Sequence, residues 1–175
     1  MNFYITTGTY DFLEKILSKY SKETMILMQN AQNSLLVHET PKKSVFGSPR
    51  KYEIIAEKGV LINKGYASFY NIPISDEEKP VFEYSFHQHQ KNVVETAPGN
   101  IAYRLLRPKK GDTYIIFTLW QDEKYYNIWK KTNTYTTLLN NKVSSSPLSS
   151  NTLFNGAPYE TEYVISNDNE KHASQ

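Results

Sequence analysis

The chain contains no cysteine. That excludes disulfides, thiolate metal centres and cysteine nucleophiles, and it is compatible with a reducing compartment. No stretch approaches the ~18 consecutive apolar residues of a membrane-spanning helix. The start, MNFYITTGTYDFLEKIL, has no basic segment ahead of an apolar run, so it does not read as a secretory signal. Together these absences predict a cytoplasmic chain that touches a membrane peripherally at most. An excess of one charge is missing as well. Twenty Lys and Arg against 18 Asp and Glu leave a net +2, too little to attract nucleic acid through bulk electrostatics. The sequence shows no phosphate-cradling glycine loop, no paired-carboxylate site and no Ser-His-Asp pattern. His87 and His89 in FHQHQ lie two residues apart. On a helix that spacing does not converge on one ion, unlike the i, i+4 pair of HExxH.

What the chain has in quantity is aromatic residues, including 14 tyrosines and two tryptophans in 175 residues. A hydrophobic fraction of 39% with 22% charged residues predicts a folded globular protein. The length suits one ordinary domain, or two small halves sharing a core.

NFYITTG alternates and reads as a strand, with Thr9 placed to cap TYDFLEKILSKY, whose Phe12, Leu13, Ile16, Leu17 and Tyr20 form one apolar stripe. TMILMQN and SLLVHET, joined by the polar AQNS, read as a hairpin, and Pro41 to Pro49 as loop. RKYEIIAEKG fits a short helix or a strand. GYASFYNIPI is a strand. Ser75 and Asp76 can cap a helix carrying Phe82, Phe86, His89 and Val93, which Pro98-Gly99 would end. NIAYRLLRP and DTYIIFTLW are strands joined by KKG, Asp122 can cap QDEKYYNIWKK, VSSSPLSSN is a connector, APYETEYVIS a last strand, and NDNEKHASQ a fraying tail. The second half therefore runs βαββαβ, a ferredoxin-like order, and the first half echoes it as βαββ. The predicted fold is α+β: an N-terminal half-barrel (1–62), a ferredoxin-like unit (63–166) and a flexible tail (167–175), the two halves closing a pseudo-dimeric barrel. A monomer or weak dimer is expected.

YITTGTYDFL, ILMQN..NSLLVHET, YRLLRP..GDTYIIFTLW and Trp129 resemble the HmoB-type haem-degrading monooxygenases of bacilli and the staphylococcal signal-transduction protein TRAP. Both fall in the antibiotic-biosynthesis-monooxygenase (ABM) superfamily, as do IsdG-like proteins. The resemblance covers residues 1 to about 166. It implies haem in a cleft between a barrel face and helices, as both substrate and cofactor. It also implies an external electron donor and oxidative ring opening with release of iron.

Family roles carry over position by position. The family's tryptophan corresponds to Trp129, with Tyr125 its i, i+4 neighbour on the same helix. The catalytic asparagine's place in SFYNIPI falls on Tyr70, whose hydroxyl can both donate and accept, and adjacent Asn71 would need a bulge to share that face. The family's histidine falls on Leu139, which cannot ligate iron. Tyr135, four residues earlier, shares its helical face if the helix persists, and is the candidate iron ligand. Arg104 or Arg107, in RLLRPKKG, is a candidate for pairing with haem propionates. The alternative is a non-catalytic, TRAP-like binding or regulatory protein with the same fold. A third is an ABM oxygenase acting on a small aromatic without a cofactor.

Overall fold

The computed structural model describes residues 1–90, 94, 96–140 and 156–166. The VSSSPLSSN connector, Val93 and the tail from residue 167 lie outside the described residues. The elements are β1 (Asn2–Gly8), α1 (Tyr10–Lys19), β2 (Thr24–Gln29), β3 (Ser34–Thr40), β4 (Arg50–Lys58), β5 (Gly65–Pro73), α2 (Lys79–Ser85) running into a π-helical turn (Phe86–Gln90), β6 (Asn100–Pro108), β7 (Thr113–Trp120), α3 (Glu123–Lys130), α4 (Asn133–Asn140) and β8 (Tyr159–Ile165).

The strands close into an antiparallel barrel in the order β1-β3-β2-β8-β5-β7-β6-β4. Alternation along each strand makes the barrel possible, because residues two apart share a face. Phe3, Ile5, Ile26, Met28, Val37, Phe69, Phe117 and Tyr163 fill the interior. Their sequence neighbours face outward. On the N-terminal half, Tyr4, Met25, Leu27 and Leu36 meet Leu13 of α1. On the C-terminal half, Tyr66, Ile72, Tyr114, Ile116 and Trp120 meet Phe82, Tyr126 and Trp129 of α2 and α3.

Read as two halves, the barrel is β4-β1-β3-β2 followed by β8-β5-β7-β6, and each half has its own strands in the order fourth, first, third, second. The uncertain stretch RKYEIIAEKG is thus β4, with Tyr52 and Ile54 turned into the barrel. It completes the first unit as a ferredoxin-like half that lacks a second helix. One joint between the halves, β4–β6, is a long ladder; the other, β2–β8, has a single register pair, Gln29 with Val164. Side chains bridge this thin seam: Asn30 Nδ2 donates to the Glu162 carbonyl (3.1 Å), and the Leu27 N–H donates to Asn63 Oδ1 (2.9 Å).

Three local expectations shift. Thr9 occupies the cap position of α1, but its side chain makes no capping bond. Helix α2 starts beyond Ser75 and Asp76, with Glu78 as its cap residue, because residues 75–78 close a turn (Glu78 N–H to the Ser75 carbonyl, 3.0 Å) and Pro80 sits in the first helical turn, where no N–H is needed. The helix after β7 does not persist through Tyr135. It ends as the Lys131 and Thr132 N–H groups bond three residues back, to the Ile128 and Trp129 carbonyls. Thr132 Oγ1 then donates to the Trp129 carbonyl (2.7 Å) and accepts from the Tyr135 N–H (3.2 Å), which starts α4 in a new direction.

Candidate functional site

The outer face of β5, β7 and β8, under α3 and α4, carries a cleft lined by Ser68, Tyr70, Ile116, Thr118, Trp129, Tyr135 and Glu160. Strand alternation places Ser68 and Tyr70 on this face of β5, and Ile116 and Thr118 on this face of β7, which pairs beside it. Asp122 caps α3 by accepting from the Tyr125 N–H (3.2 Å), and this aims Tyr126 and Trp129 down onto the sheet. The aromatics form a continuous stack. Trp129 lies 5.0 Å from Trp120, 6.3 Å from Tyr126 and 4.9 Å, edge-on at 76°, from Tyr135 (ring centroids).

Trp129 is 6% exposed, and its indole N–H is buried without a hydrogen-bond partner among the described residues. Trp120, by contrast, donates to Thr118 Oγ1 at 2.8 Å. Buried polar groups in native proteins are nearly always paired, so an orphan at a cleft marks a place where a ligand's acceptor belongs.

Opposite Trp129 is a residue that the sequence did not single out. Glu160 of β8 accepts from Ser68 Oγ (2.7 Å), from the Tyr135 hydroxyl (3.0 Å) and from the Tyr126 hydroxyl, and Lys130 Nζ stands 3.4 Å away. Burial pushes its carboxyl up to about 7, with the Ser68 hydrogen bond opposing and the Glu162 charge adding. Burial also raises neighbouring Glu162, but hydrogen bonds from Lys130 (2.9 Å) and Tyr66 (2.7 Å) outweigh it and hold that carboxyl below the usual range. Burial lifts Tyr70 to about 12, helped by Tyr135 and Glu160, and also raises Tyr135, with Lys130 opposing. Both tyrosines are phenols at neutral pH.

The Glu160 shift has a signed consequence. The folded state binds this proton more tightly than the unfolded chain, whose glutamate titrates near 4.5. The resulting stabilisation is complete below that value and is lost as pH rises through about 7. Discounted for solvent screening, it is on the order of 1–2 kcal/mol. The melting temperature of Glu160→Gln minus that of the parent should therefore rise between pH 4.5 and pH 8. A difference that stays flat would refute the assignment.

The structure brings Trp129, Tyr70 and Tyr135 together and separates the other expected residues from them. Asn71 faces the opposite side of β5, where its amide donates to the Phe69 carbonyl (3.0 Å) and the Tyr159 carbonyl (3.4 Å); β5 has no bulge to turn it outward. Tyr125 packs over the turn at Gly99, so close that a Cβ there would lie 2.2 Å from Tyr125 Cγ, and it does not line the cleft. Arg104 is on the inward face of β6 and 2% exposed. All five of its N–H donors are used: Nε and Nη2 on Glu39 (2.6 and 3.2 Å), Nη1 on the Lys58 and Tyr103 carbonyls (2.8 Å each) and Nη2 on the Gly59 carbonyl (3.0 Å). It has no donor left for a propionate. Arg107, the other candidate for that role, forks onto Glu83 instead (2.7 and 2.6 Å).

Among the described side chains, no histidine lines the cleft. His38 is beneath α1, with Nδ1 at 3.0 Å from Ser44 Oγ and Nε2 at 2.9 Å from Glu23 Oε2. Ser44 Oγ also accepts the Phe46 N–H (3.2 Å), so this chain of bonds clamps the 41–49 loop to β3. Sequence inspection showed no serine–histidine–acid pattern because the three residues meet only through the fold. No group of three or more His, Asp or Glu among the described residues is arranged to hold a metal ion, and no helix there is long and apolar enough to cross a membrane.

Barrel and cleft define an α+β protein with a ferredoxin-like half bearing an aromatic slot. Residues 70–140 match the model of the antibiotic biosynthesis monooxygenase family. It is similar to a heme-degrading monooxygenase of Listeria monocytogenes, 28% identical over 128 residues, covering 73% of this chain and 76% of the relative. It is also similar to the signal transduction protein TRAP of Staphylococcus aureus, 29% identical over 132 residues, covering 75% of this chain and 78% of the relative. The solved structure of a major regulator of staphylococcal pathogenesis shares the fold with a TM-score of 0.83 at 24% identity, over 95% of this chain and all of that one.

Proposed function

We propose that this chain binds haem in the cleft beneath α3 and α4 and opens the porphyrin oxidatively, with electrons from an external donor. The observation that carries the reading is the buried, unpartnered Trp129 N–H in an aromatic slot rimmed by Tyr70, Tyr135 and Glu160. The donor set fits the iron of haem, since phenol and carboxylate oxygens suit the ferric state and tyrosine is an established haem ligand. Haem supplies the iron that activates dioxygen. The chain's residues supply the rest. Trp129 would pack against the ring and offer its N–H, Tyr135 would hold the iron where the family has a histidine and this chain has Leu139, and Tyr70 would direct a hydroxyl into the same space. Glu160, its carboxyl pushed up to about 7, can take up or give a proton beside both tyrosines near neutral pH. Arg104 has no donor left for a propionate.

A second reading, a non-catalytic TRAP-like protein, is favoured by one observation. The cleft has only about 10 Å³ of open space, room for about one water, whereas ligand pockets run to about 300–1,000 Å³. Haemin titration separates the two. The first reading expects a shifted Soret band that decays with ascorbate under air in the presence of catalase, and decay about tenfold slower in Trp129→Phe. A stable shifted band supports the second reading, and no shift at micromolar haemin removes haem from both. An unchanged band in Tyr135→Phe would exclude Tyr135 as ligand.

A further inference from the structure

The closed cleft and the haem reading are reconciled if α4 moves. We infer that Glu160 is a positioning residue: its hydrogen bond from Tyr135 latches α4 over Trp129, and a planar aromatic ligand enters as the Tyr135 ring moves off Trp129, which frees the Tyr135 hydroxyl to meet that ligand. This rests on the proposed haem reading for the identity of the ligand, but not for the latch.

Four observations support it. Tyr135 already occupies the place of a flat ligand, its ring against Trp129 and its hydroxyl 3.0 Å from Glu160 Oε2. Helix α4 is a separate eight-residue element, joined to α3 through Lys131 and Thr132. Thr132 closes one helix and caps the next, so a change of angle there leaves both helices intact. Glu160 keeps Ser68, Tyr126 and Lys130 when Tyr135 leaves, so the anchor stays in place while the latch opens. The orphan Trp129 N–H then gains what the closed state denies it, an acceptor on the incoming ligand.

The charged and titratable groups around Glu160 are Tyr66 and Tyr70 from β5, Tyr126 and Lys130 from α3, Tyr135 from α4, and Glu162 from β8 itself. Among the described side chains, Tyr135 connects this cluster to α4.

The test is acrylamide quenching of tryptophan fluorescence, paired with stopped-flow haemin association. Trp120 is 0% exposed and Trp129 6%, so added quenching reports on Trp129. Tyr135→Phe should raise the quenching constant about two- to threefold and haemin association about tenfold, the effect of losing one hydrogen bond. Tyr66→Phe, which deletes a hydroxyl from the same network on Glu162, should match the parent in both. In a Glu160→Ala background, which has no acceptor for the Tyr135 hydroxyl, the Tyr135→Phe effect should shrink. Parent-like quenching in Tyr135→Phe overturns the latch, and an undiminished effect in the Ala background overturns Glu160 as its anchor. Raised quenching in Tyr135→Phe together with no haemin binding by the parent supports the latch and refutes the haem reading.

Discussion

Arg104→Met should destabilise the protein by about 3–5 kcal/mol in urea unfolding, because it leaves Glu39 as an unpaired charge inside the barrel. Arg104 is buried with every donor engaged, and its pairing spans the barrel from β6 to β3. Its other bonds go to the Lys58 and Gly59 carbonyls, where the chain leaves β4. Removing the guanidinium strands those carbonyls and the carboxylate together. The double variant Arg104→Met, Glu39→Met should recover most of the loss, since replacing a buried ion pair by apolar residues of similar volume is often neutral or stabilising. A single-variant cost below about 1 kcal/mol would show that the pair is solvated.

Gly65→Ala should cost about 3 kcal/mol or more. Gly65 opens β5 at φ +106, a conformation unfavourable for a side chain, and an added Cβ would lie 2.1 Å from the Trp120 carbonyl oxygen. That oxygen is fixed backbone, so relief requires β5 and β7 to part where they position Ser68, Tyr70 and Trp120. Gly111 is the control. It also has positive φ (+88) but open space around it, so Gly111→Ala should lose only about 1 kcal/mol. Equal costs at the two glycines would mean that backbone conformation, and not the close approach, sets the penalty.

Much of this architecture is visible in the sequence because it depends on period and capping. NFYITTG alternates, TMILMQN, GYASFYNIPI and DTYIIFTLW are apolar runs of strand length bounded by turns, and Asp122 caps α3 as its residue type predicts. RKYEIIAEKG stayed ambiguous because Ile54, Ile55 and Ala56 are consecutive apolar residues, and the irregularity between Ile54 and Ala56 explains them, turning neighbours to different faces. The continuation of the helix into Tyr135 failed at Thr132, whose hydroxyl competes for backbone groups.

The cleft was legible only in part. The family resemblance pointed to Trp129 and Tyr70, and the period of helix and strand puts both on the cleft face. It misled at Arg104, because a cluster of basic residues gives no sign that one of them turns inward to meet Glu39, 65 residues away. It missed Glu160, which in PYETEY looks like an ordinary surface glutamate. The register pairing Tyr70 with Glu160 brings that carboxylate beside Tyr135 and Trp129.

By itself, then, the sequence determined seven of the eight strands, the Asp122 cap, and the aromatic stretch that needs something flat to pack against. Only the tertiary structure decided which charges are buried, which hydroxyls converge on Glu160, and that the slot is closed by Tyr135. Those facts depend on register between strands distant in the chain and on the direction α4 takes after Thr132, and no local pattern encodes either.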